Sequence, residues 1–196
     1  MTAEALAGRI AACRLCEAQF AATATAHEPR PVPWFRGPAR LLISGQAPGL
    51  RVHRSGLPFD DASGDRLRDW LGLDRGAFYD RDQVAVVPMA FCFPGYDEKG
   101  ADLPPPSICA RTWRAEVLAA LPEVRLRVLV GGSAMVWHLG KGRVSDRVRD
   151  WRAQADLGVW CMPHPSWRNT GWLKRNLWFE ADLVPELRLA VARALA

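Results

Sequence analysis

The chain has 196 residues, of which 49% are hydrophobic and 24% are charged, and this composition excludes an intrinsically disordered protein. No apolar run reaches the ~18 residues of a membrane-spanning helix, and the first twelve residues lack the pattern of a secretory signal. We therefore expect a single cytoplasmic domain over residues 1–196, monomeric and without membrane association. The net charge of +5 favours a polyanionic partner, because Lys and Arg displace counterions condensed on phosphates.

Short apolar runs alternate along the chain with stretches of helical spacing. The apolar runs predict four strands, at 40–44, 84–89, Leu126–Val130 and Val159–Met162. Helices are predicted at 2–12, 65–73, 112–121, 132–139 and 176–196, the last with a candidate break at Pro185. The stretches 17–37 and 93–108 contain Pro and Gly and predict irregular loops.

This alternation predicts an α/β fold. The strands are apolar on both faces, which is typical of a parallel sheet covered by helices on both sides. We expect a three-layer α/β/α sandwich with a central four-stranded, mainly parallel sheet. Sites in such folds form at the carboxyl ends of strands, and the segments 45–49, 90–95 and 164–169 follow three of the predicted strands.

The first of these segments is Gly45-Gln46-Ala47-Pro48-Gly49. Two glycines and a proline in five residues predict a tight, rigid turn that can present backbone N–H groups to a ligand. An ordinary strand-to-helix turn explains the same pattern.

The segment 56–65 places Phe59, Asp60 and Asp61 before a predicted helix. Phe59 is a candidate for stacking on a base, and one of the two carboxylates is a candidate for acting on water. The alternative for the acidic residues of this segment is helix capping, since short oxygen-bearing side chains satisfy free N–H groups.

The segment His164-Pro165-Ser166-Trp167-Arg168-Asn169 follows the last strand. A histidine in this place can donate a hydrogen bond to a developing anion. Trp167 and Arg168 are candidates for entering a nucleic-acid stack, although an ordinary loop accounts for the segment equally well.

Five cysteines in a cytosolic chain argue against a disulfide framework. Cys161 lies within the last predicted strand and is expected to be buried. The others are Cys13, Cys16, Cys92 and Cys109. Four thiolates are the ligand set of a [4Fe–4S] cluster and equally of a structural Zn²⁺ ion, and their spacing alone does not separate the two.

Taken together, these segments resemble the uracil-DNA glycosylase superfamily. The turn 45–49 resembles its first motif, and 164–169 resembles the second motif of the single-strand-selective monofunctional branch. The stretch 56–64 and the four cysteines are similar to those of the iron–sulfur branches, families 4 and 5. The resemblance covers residues 13 to 180.

The resemblance implies a monofunctional DNA repair glycosylase that flips uracil, or a related deaminated base, out of DNA and hydrolyses its N-glycosidic bond. It implies a [4Fe–4S] cluster on the four cysteines, with zinc as the alternative. His164 would be catalytic together with Asp61 or Asp60. The remaining implied residues are those for the base, Gly45, Gln46, Ala47, Pro48, Phe59 and Asn169, and those for DNA, Ser166, Trp167 and Arg168.

Three positions depart from the family's patterns. Ala47 stands where the best-known branch has Asp, and Gln46 stands where an iron–sulfur branch has Glu. Another iron–sulfur branch uses an Asp shortly after its Pro-Phe pair, and that comparison favours Asp61 over Asp60. Pro88 replaces an Asn that reads the uracil edge in many members, so hypoxanthine and xanthine are also candidate bases.

The departures leave a second hypothesis open, a weak or inactive relative that binds uracil-containing or abasic DNA, or captures it covalently through His53. We expect His53 to lie in a surface loop. Two further alternatives are a nucleotide or nucleoside hydrolase and a zinc-stabilised nucleic-acid-binding module.

Overall fold

The computed structural model describes all 196 residues. Its sheet contains β1 (Leu41–Ser44), β2 (Val84–Val86), β3 (Leu126–Val130) and β4 (Val159–Met162), which lie in the order β2-β1-β3-β4. All three strand pairs are parallel, with Ile43 opposite both Val86 and Val128. The predicted α/β sandwich is therefore confirmed, and its sheet is entirely parallel.

Eleven α-helices surround the sheet. They are α1 (Ala3–Ala11), α2 (Glu17–Ala21), α3 (Leu50–Ser55), α4 (Ala62–Leu71), α5 (Arg75–Tyr79), α6 (Ser107–Ala119), α7 (Gly132–Leu139), α8 (Val144–Arg149), α9 (Trp151–Ala155), α10 (Thr170–Arg175) and α11 (Val184–Leu195). A 3₁₀ turn covers Trp167–Asn169, and a π-helical turn, Phe179–Leu183, precedes α11. None of the helices combines the length and apolar composition that a membrane span needs.

The two faces of the sheet belong to separate apolar cores, because successive strand residues point to opposite sides. Leu41 and Ile43 join the larger core, which includes residues of α4 and α11. Leu42 joins the smaller core, which includes residues of α1 and α6. The helices α8 and α9 pack on β4. Both faces are covered, so the free carboxyl edge is where chemistry can be placed.

Several predicted boundaries differ from the structure. The candidate break at Pro185 corresponds to the change from the π-helical turn to α11 at Val184, and Pro185 stands in the first turn of α11, a position that tolerates proline. The helix α4 begins at Ala62, three residues early, since Asp61 caps it. Similarly, α6 begins at Ser107 inside the predicted 93–108 loop. The helix α2 lies within 17–37, which was expected to be irregular.

Candidate active site

The segments that follow β1, β2 and β4 lie at one edge of the sheet, with β3 between β1 and β4. The turn 45–49 follows β1, residues 87–90 follow β2, and residues 163–169 follow β4. In parallel sheets these ends lie on one side, where ligands bind in the crevice beyond the strands. The fold thus brings together the segments that the sequence separates by more than a hundred residues.

The turn after β1 is fixed on one side and open on the other. The carbonyls of Gly45 and Gln46 accept hydrogen bonds from the N–H groups of Met89 and Ala90, at 2.9 and 3.1 Å. The N–H groups of Gln46 and Ala47 bind no acceptor within the protein. This turn therefore keeps two backbone donors without a protein acceptor directly after β1, where they are candidates for binding a ligand.

Phe59 is held in a backbone conformation that aromatic residues rarely adopt, with φ at 53°, which costs about 1–3 kcal/mol. The Tyr79 hydroxyl and Arg68 Nη1 donate to its carbonyl at 3.3 and 3.2 Å. Its ring lies against Gly45, 3.7 Å from where a Cβ would stand, and meets Phe78 edge-on. The ring therefore lies beside the open turn before any ligand binds.

The structure separates the two candidate carboxylates. Asp60 forms an ion pair with Arg75, with 3.2 Å between Arg75 Nη2 and Asp60 Oδ1. This contact engages the Asp60 carboxylate. Asp61 caps α4, where its Oδ1 accepts from the Gly64 N–H at 2.9 Å. Its carboxylate also lies close enough to His164 to raise the histidine pKa, against a larger opposing effect of burial. Asp61 is thus both a capping residue and a neighbour of His164.

His164 lies two residues after β4 at the carboxyl edge of the sheet and is exposed to solvent. Desolvation by the surrounding protein lowers the pKa of its imidazole, an effect that outweighs the nearby Asp61 and Asp102 carboxylates. The Ser166 N–H donates to Nδ1 at 3.2 Å. Since Nδ1 accepts, the neutral ring carries its proton on Nε2 and offers Nε2–H as a donor.

The 164–169 loop is braced by side chains from inside and outside it. Arg66 Nη1 of α4 donates to the carbonyls of Pro165 and Ser166, both at 3.2 Å. The Asn169 amide nitrogen donates to the His164 carbonyl at 2.7 Å. That bond uses one N–H of the Asn169 amide within the loop. Only the second N–H and the amide oxygen of Asn169 are left for the expected contact with the base.

Two other loop residues face outward. Trp167 is 76% exposed at the tip of the loop. Arg168 lies with its Cζ 5.9 Å from the Trp167 ring centre. An apolar ring kept in water beside a cation is a surface feature that suits contact with DNA.

His53 is not in a loop, contrary to the sequence-based expectation. It lies on α3, whose short length and single buried apolar residue, Val52, give little helical signal. Its ring packs edge-on to His27 at 5.2 Å and near Phe93 at 6.0 Å, with Nδ1 buried and unpaired. Burial is the main cause that lowers its pKa.

The four remaining cysteines line one cavity together with apolar side chains such as Phe20, Ile108 and Trp113. Burial, with help from neighbouring cysteines, raises the pKa of Cys92 to about 12 and that of Cys109 to about 11. The Phe91 N–H donates to Cys109 Sγ at 3.4 Å. Such a donor set suits a metal cluster, although no three His, Cys, Asp or Glu side chains are arranged to hold a single ion. Cys161 is buried in β4, as predicted.

Sequence reasoning missed the residues that support the site, namely Arg66, Arg68, Tyr79 and Asp102. Arg66, Arg68 and Tyr79 act through hydrogen bonds to residues between 9 and 100 positions away. Asp102 acts through its charge near His164. Nothing in their local sequence distinguishes these residues from surface residues. Arg68 alone gives a structural hint, since it sits among the apolar positions of α4 and is buried.

A family model described as the uracil DNA glycosylase superfamily matches residues 33–188. The match includes the turn 45–49, Phe59, the capping Asp61 and the His164 loop, and it leaves Cys13 and Cys16 outside. Members of this family are glycosylases that act on damaged bases in DNA. With most of its length matched and the motifs assembled on one edge of the sheet, this chain belongs to the uracil DNA glycosylase superfamily.

Proposed function

We propose that this protein hydrolyses the N-glycosidic bond of uracil in DNA and acts as a monofunctional glycosylase. The observation that carries the proposal is the state of His164. Its Nδ1 accepts a hydrogen bond from the Ser166 N–H, and desolvation by the surrounding protein lowers its pKa and favours the neutral form, so it offers Nε2–H as a donor at the carboxyl edge of the sheet.

The base would enter the crevice by flipping out of the duplex, because the glycosidic bond of a stacked nucleotide is inaccessible. The Phe59 ring offers a stacking surface, and the N–H groups of Gln46 and Ala47 offer donors to a carbonyl oxygen of the base. Trp167, exposed at the loop tip, would fill the gap that the flipped nucleotide leaves in the stack.

Cleavage moves the electron pair of the C1′–N1 bond onto the base. The Nε2–H of His164 stabilises that developing anion, and a positioned donor of this kind is commonly worth about 2.7–4 kcal/mol. The departing base then takes up a proton. No lysine lies in the segments that form the edge, which supports hydrolysis rather than lyase chemistry through a Schiff base.

Water completes the reaction by bonding its oxygen to C1′ and losing one proton. We assign its orientation to Asp61, whose Oδ1 is occupied by Gly64 while Oδ2 has no protein partner. Asp60 is the weaker candidate, because Arg75 holds its carboxylate. Asp102 is a further carboxylate near His164.

Base selection would depend on backbone groups of the crevice. Pro88 carries no side-chain donor or acceptor, so uracil would be read through backbone groups near Gln46 and Ala90 instead of an amide side chain. Such reading favours any base with a suitably placed carbonyl, which keeps hypoxanthine and xanthine as candidate substrates.

We also propose that Cys13, Cys16, Cys92 and Cys109 hold a [4Fe–4S] cluster. A zinc ion would draw four sulfurs onto one centre at about 2.3 Å, whereas a cluster binds each thiolate at a separate iron. The four cysteines line one cavity, and the similarity of their order and spacing to the iron–sulfur branches supports the cluster over zinc. The cluster would join α1, α6 and the loop that contains Cys92. It would not take part in hydrolysis.

The test uses anaerobically purified protein and oligonucleotides that carry uracil, hypoxanthine, xanthine or only normal bases, both single- and double-stranded. Alkali-dependent strand cleavage at uracil is the expected result. Cleavage at all three deaminated bases would broaden the substrate range. Absence of cleavage, with a denaturation-resistant DNA adduct that is lost in His53→Ala, would contradict hydrolysis and favour covalent capture.

A further inference from the structure

Arg114 is a buried cation without a counter-charge. It lies on α6 with 1% exposure, and it takes part in none of the ion pairs of the molecule. Burial lowers its pKa to about 10, so the guanidinium remains charged at neutral pH. Burying an unpaired charge is unfavourable, and an apolar residue would fill the same space without that penalty.

Its donors converge on the strand ends beneath the active site. Arg114 Nη2 donates to Ser44 Oγ at 2.7 Å, and Nη1 donates to the carbonyls of Val87 and Pro88 at 3.0 and 3.3 Å. Ser44 directly precedes the open turn, and Pro88 occupies the position where an amide side chain was expected. Arg114 therefore ties the ends of β1 and β2 together.

The other side of the guanidinium is closed by α7. His138 Nε2 accepts a hydrogen bond from Arg114 Nη2, and burial together with Arg114 and Arg127 lowers the His138 pKa to about 4. His138 is therefore a neutral acceptor. The Trp137 ring covers the guanidinium, with Cζ 4.7 Å from its centre. No group on this side neutralises the charge.

A continuous chain of peptide groups leads from Arg114 to the turn after β1. Arg114 binds the Pro88 carbonyl, and the N–H of the same peptide unit belongs to Met89. That N–H donates to the Gly45 carbonyl at 2.9 Å, and the N–H of this second peptide unit belongs to Gln46. Hydrogen bonds in such chains polarise one another, and the Gln46 N–H is an open donor at the end.

We propose that Arg114 is a positioning residue that fixes the turn after β1 and, through the peptide chain by way of Met89 and Gly45, strengthens the Gln46 N–H as a donor to the leaving base. This inference rests on the proposed glycosylase function. The buried charge is used at a distance, because the two intervening peptide units carry its polarisation to the crevice. Ser44 provides the mechanical part of the same connection.

Leaving-group acidity separates polarisation from a purely structural role. Single-turnover rates would be measured on DNA containing uracil or 5-fluorouracil, which is the more acidic base and needs less stabilisation as an anion. For Arg114→Met we expect a loss of about 30-fold or more on uracil and only a few-fold on 5-fluorouracil. Arg114→Lys keeps the charge, so its ratio of the two rates stays closer to that of the wild type. Equal losses of Arg114→Met on both substrates would overturn the proposal.

A second variant guards against misfolding of Arg114→Met. His138→Glu leaves Arg114 in place and supplies the missing counter-charge. It is expected to lower the uracil rate more than the 5-fluorouracil rate, whereas Ser44→Ala, which removes one hydrogen bond and no charge, lowers both alike. An unchanged ratio in His138→Glu would count against the proposal.

A readout without substrate separates this inference from the proposed function. The amide proton of Gln46 in ¹⁵N-labelled protein is expected to move upfield in His138→Glu and Arg114→Met and to move less in Arg114→Lys. If the wild type releases neither base while this shift occurs, the uracil proposal fails and the polarised turn stands. If the wild type is active and the Gln46 amide does not move, the role of Arg114 fails alone.

Discussion

The carboxyl edge of the sheet and the cysteine cavity are built on opposite principles. At the edge, hydrogen bonds fix the groups that would do chemistry before anything binds: Phe59 by Arg68 and Tyr79, and the His164 ring by Ser166. In the cavity, apolar walls raise the pKa of the Cys92 and Cys109 thiols. Burial there favours the protonated thiols, and under the proposed assignment a bound cluster would supply the positive charge that stabilises the thiolates.

The difference teaches which property each region controls. A preorganised site spends folding energy to hold donors in place, so a change there alters the rate more than the stability. A site completed by its ligand contributes ligand-binding energy to folding, so a change there alters stability and metal content first. Variants in the two regions are therefore expected to have opposite profiles.

The largest expected effect is that of His164→Ala. Loss of the Nε2–H donor is expected to lower the single-turnover rate of uracil release by about 100- to 1,000-fold. Iron content, thermal midpoint and affinity for uracil-containing DNA are measured in parallel and are expected to stay near wild-type values. A variant that keeps full activity would remove His164 from the mechanism.

Gly64→Ala tests whether activity depends on the fixed position of Phe59. A Cβ at this position would lie 1.8 Å from the Phe59 carbonyl oxygen, so Phe59 must move. We expect destabilisation of about 1–3 kcal/mol and a tenfold or larger loss of rate, measured by urea unfolding and single-turnover assays. Gly8→Ala in α1, where a Cβ meets nothing within 4 Å, is the control. It is expected to keep the rate and to raise the free energy of unfolding by about 0.5–1 kcal/mol, because Ala favours a helix interior over Gly.

Asp61→Asn separates charge from capping at one residue. Asn is as good a helix cap as Asp, so the free energy of unfolding is expected to stay within about 0.5 kcal/mol of the wild-type value, while the rate of uracil release falls tenfold or more. Asp60→Asn removes only the partly exposed pair with Arg75 and is expected to change the rate less than threefold. A larger loss in Asp102→Asn than in Asp61→Asn would move the water-orienting role to Asp102.

Cys109→Ser is expected to show the opposite profile. Iron per protein and the visible absorption of the cluster fall, and the thermal midpoint drops by more than about 5 °C, since 1 kcal/mol corresponds to about 2–4 °C in a chain of this length. The rate of the protein that remains folded changes only a few-fold. Cys161→Ala, in β4 and outside the cavity, is the control and is expected to retain iron. Full iron retention in Cys109→Ser would exclude the proposed ligand.

The smallest expected effect is the pH dependence of the reaction rate that results from protonation of His164. The pKa of His164 is lowered from its ordinary value, so the neutral donor form persists above pH 6.5. The rate is expected to stay flat from pH 8 to 6.5 and to fall only as the pH drops through the lowered pKa, because protonation breaks the bond from Ser166. His164→Gln, measured over the same range, is expected to lose this acidic limb.

The strand order could not be derived from the sequence, but the strands themselves could. Leu126–Val130 and Val159–Met162 are confirmed at their predicted bounds, because continuous apolar runs between polar segments leave few other places to be buried. Short helices such as α3 and α5 escaped prediction, since five or six residues carry less than two turns of periodic signal. His53 was placed in a loop for that reason.

The sequence by itself determined the family, the sheet-forming segments and the loops that carry the candidate chemistry, because turn residues and motif spacing are local properties. Only the tertiary structure decided which groups act together. It turned Asp60 to Arg75, set Asp61 beside His164, committed the Asn169 amide to its own loop and buried Arg114 under the turn after β1. Most of these outcomes depend on contacts between residues far apart in the chain, Asp61 and His164 being more than a hundred positions apart, and such contacts leave no pattern in the neighbouring sequence.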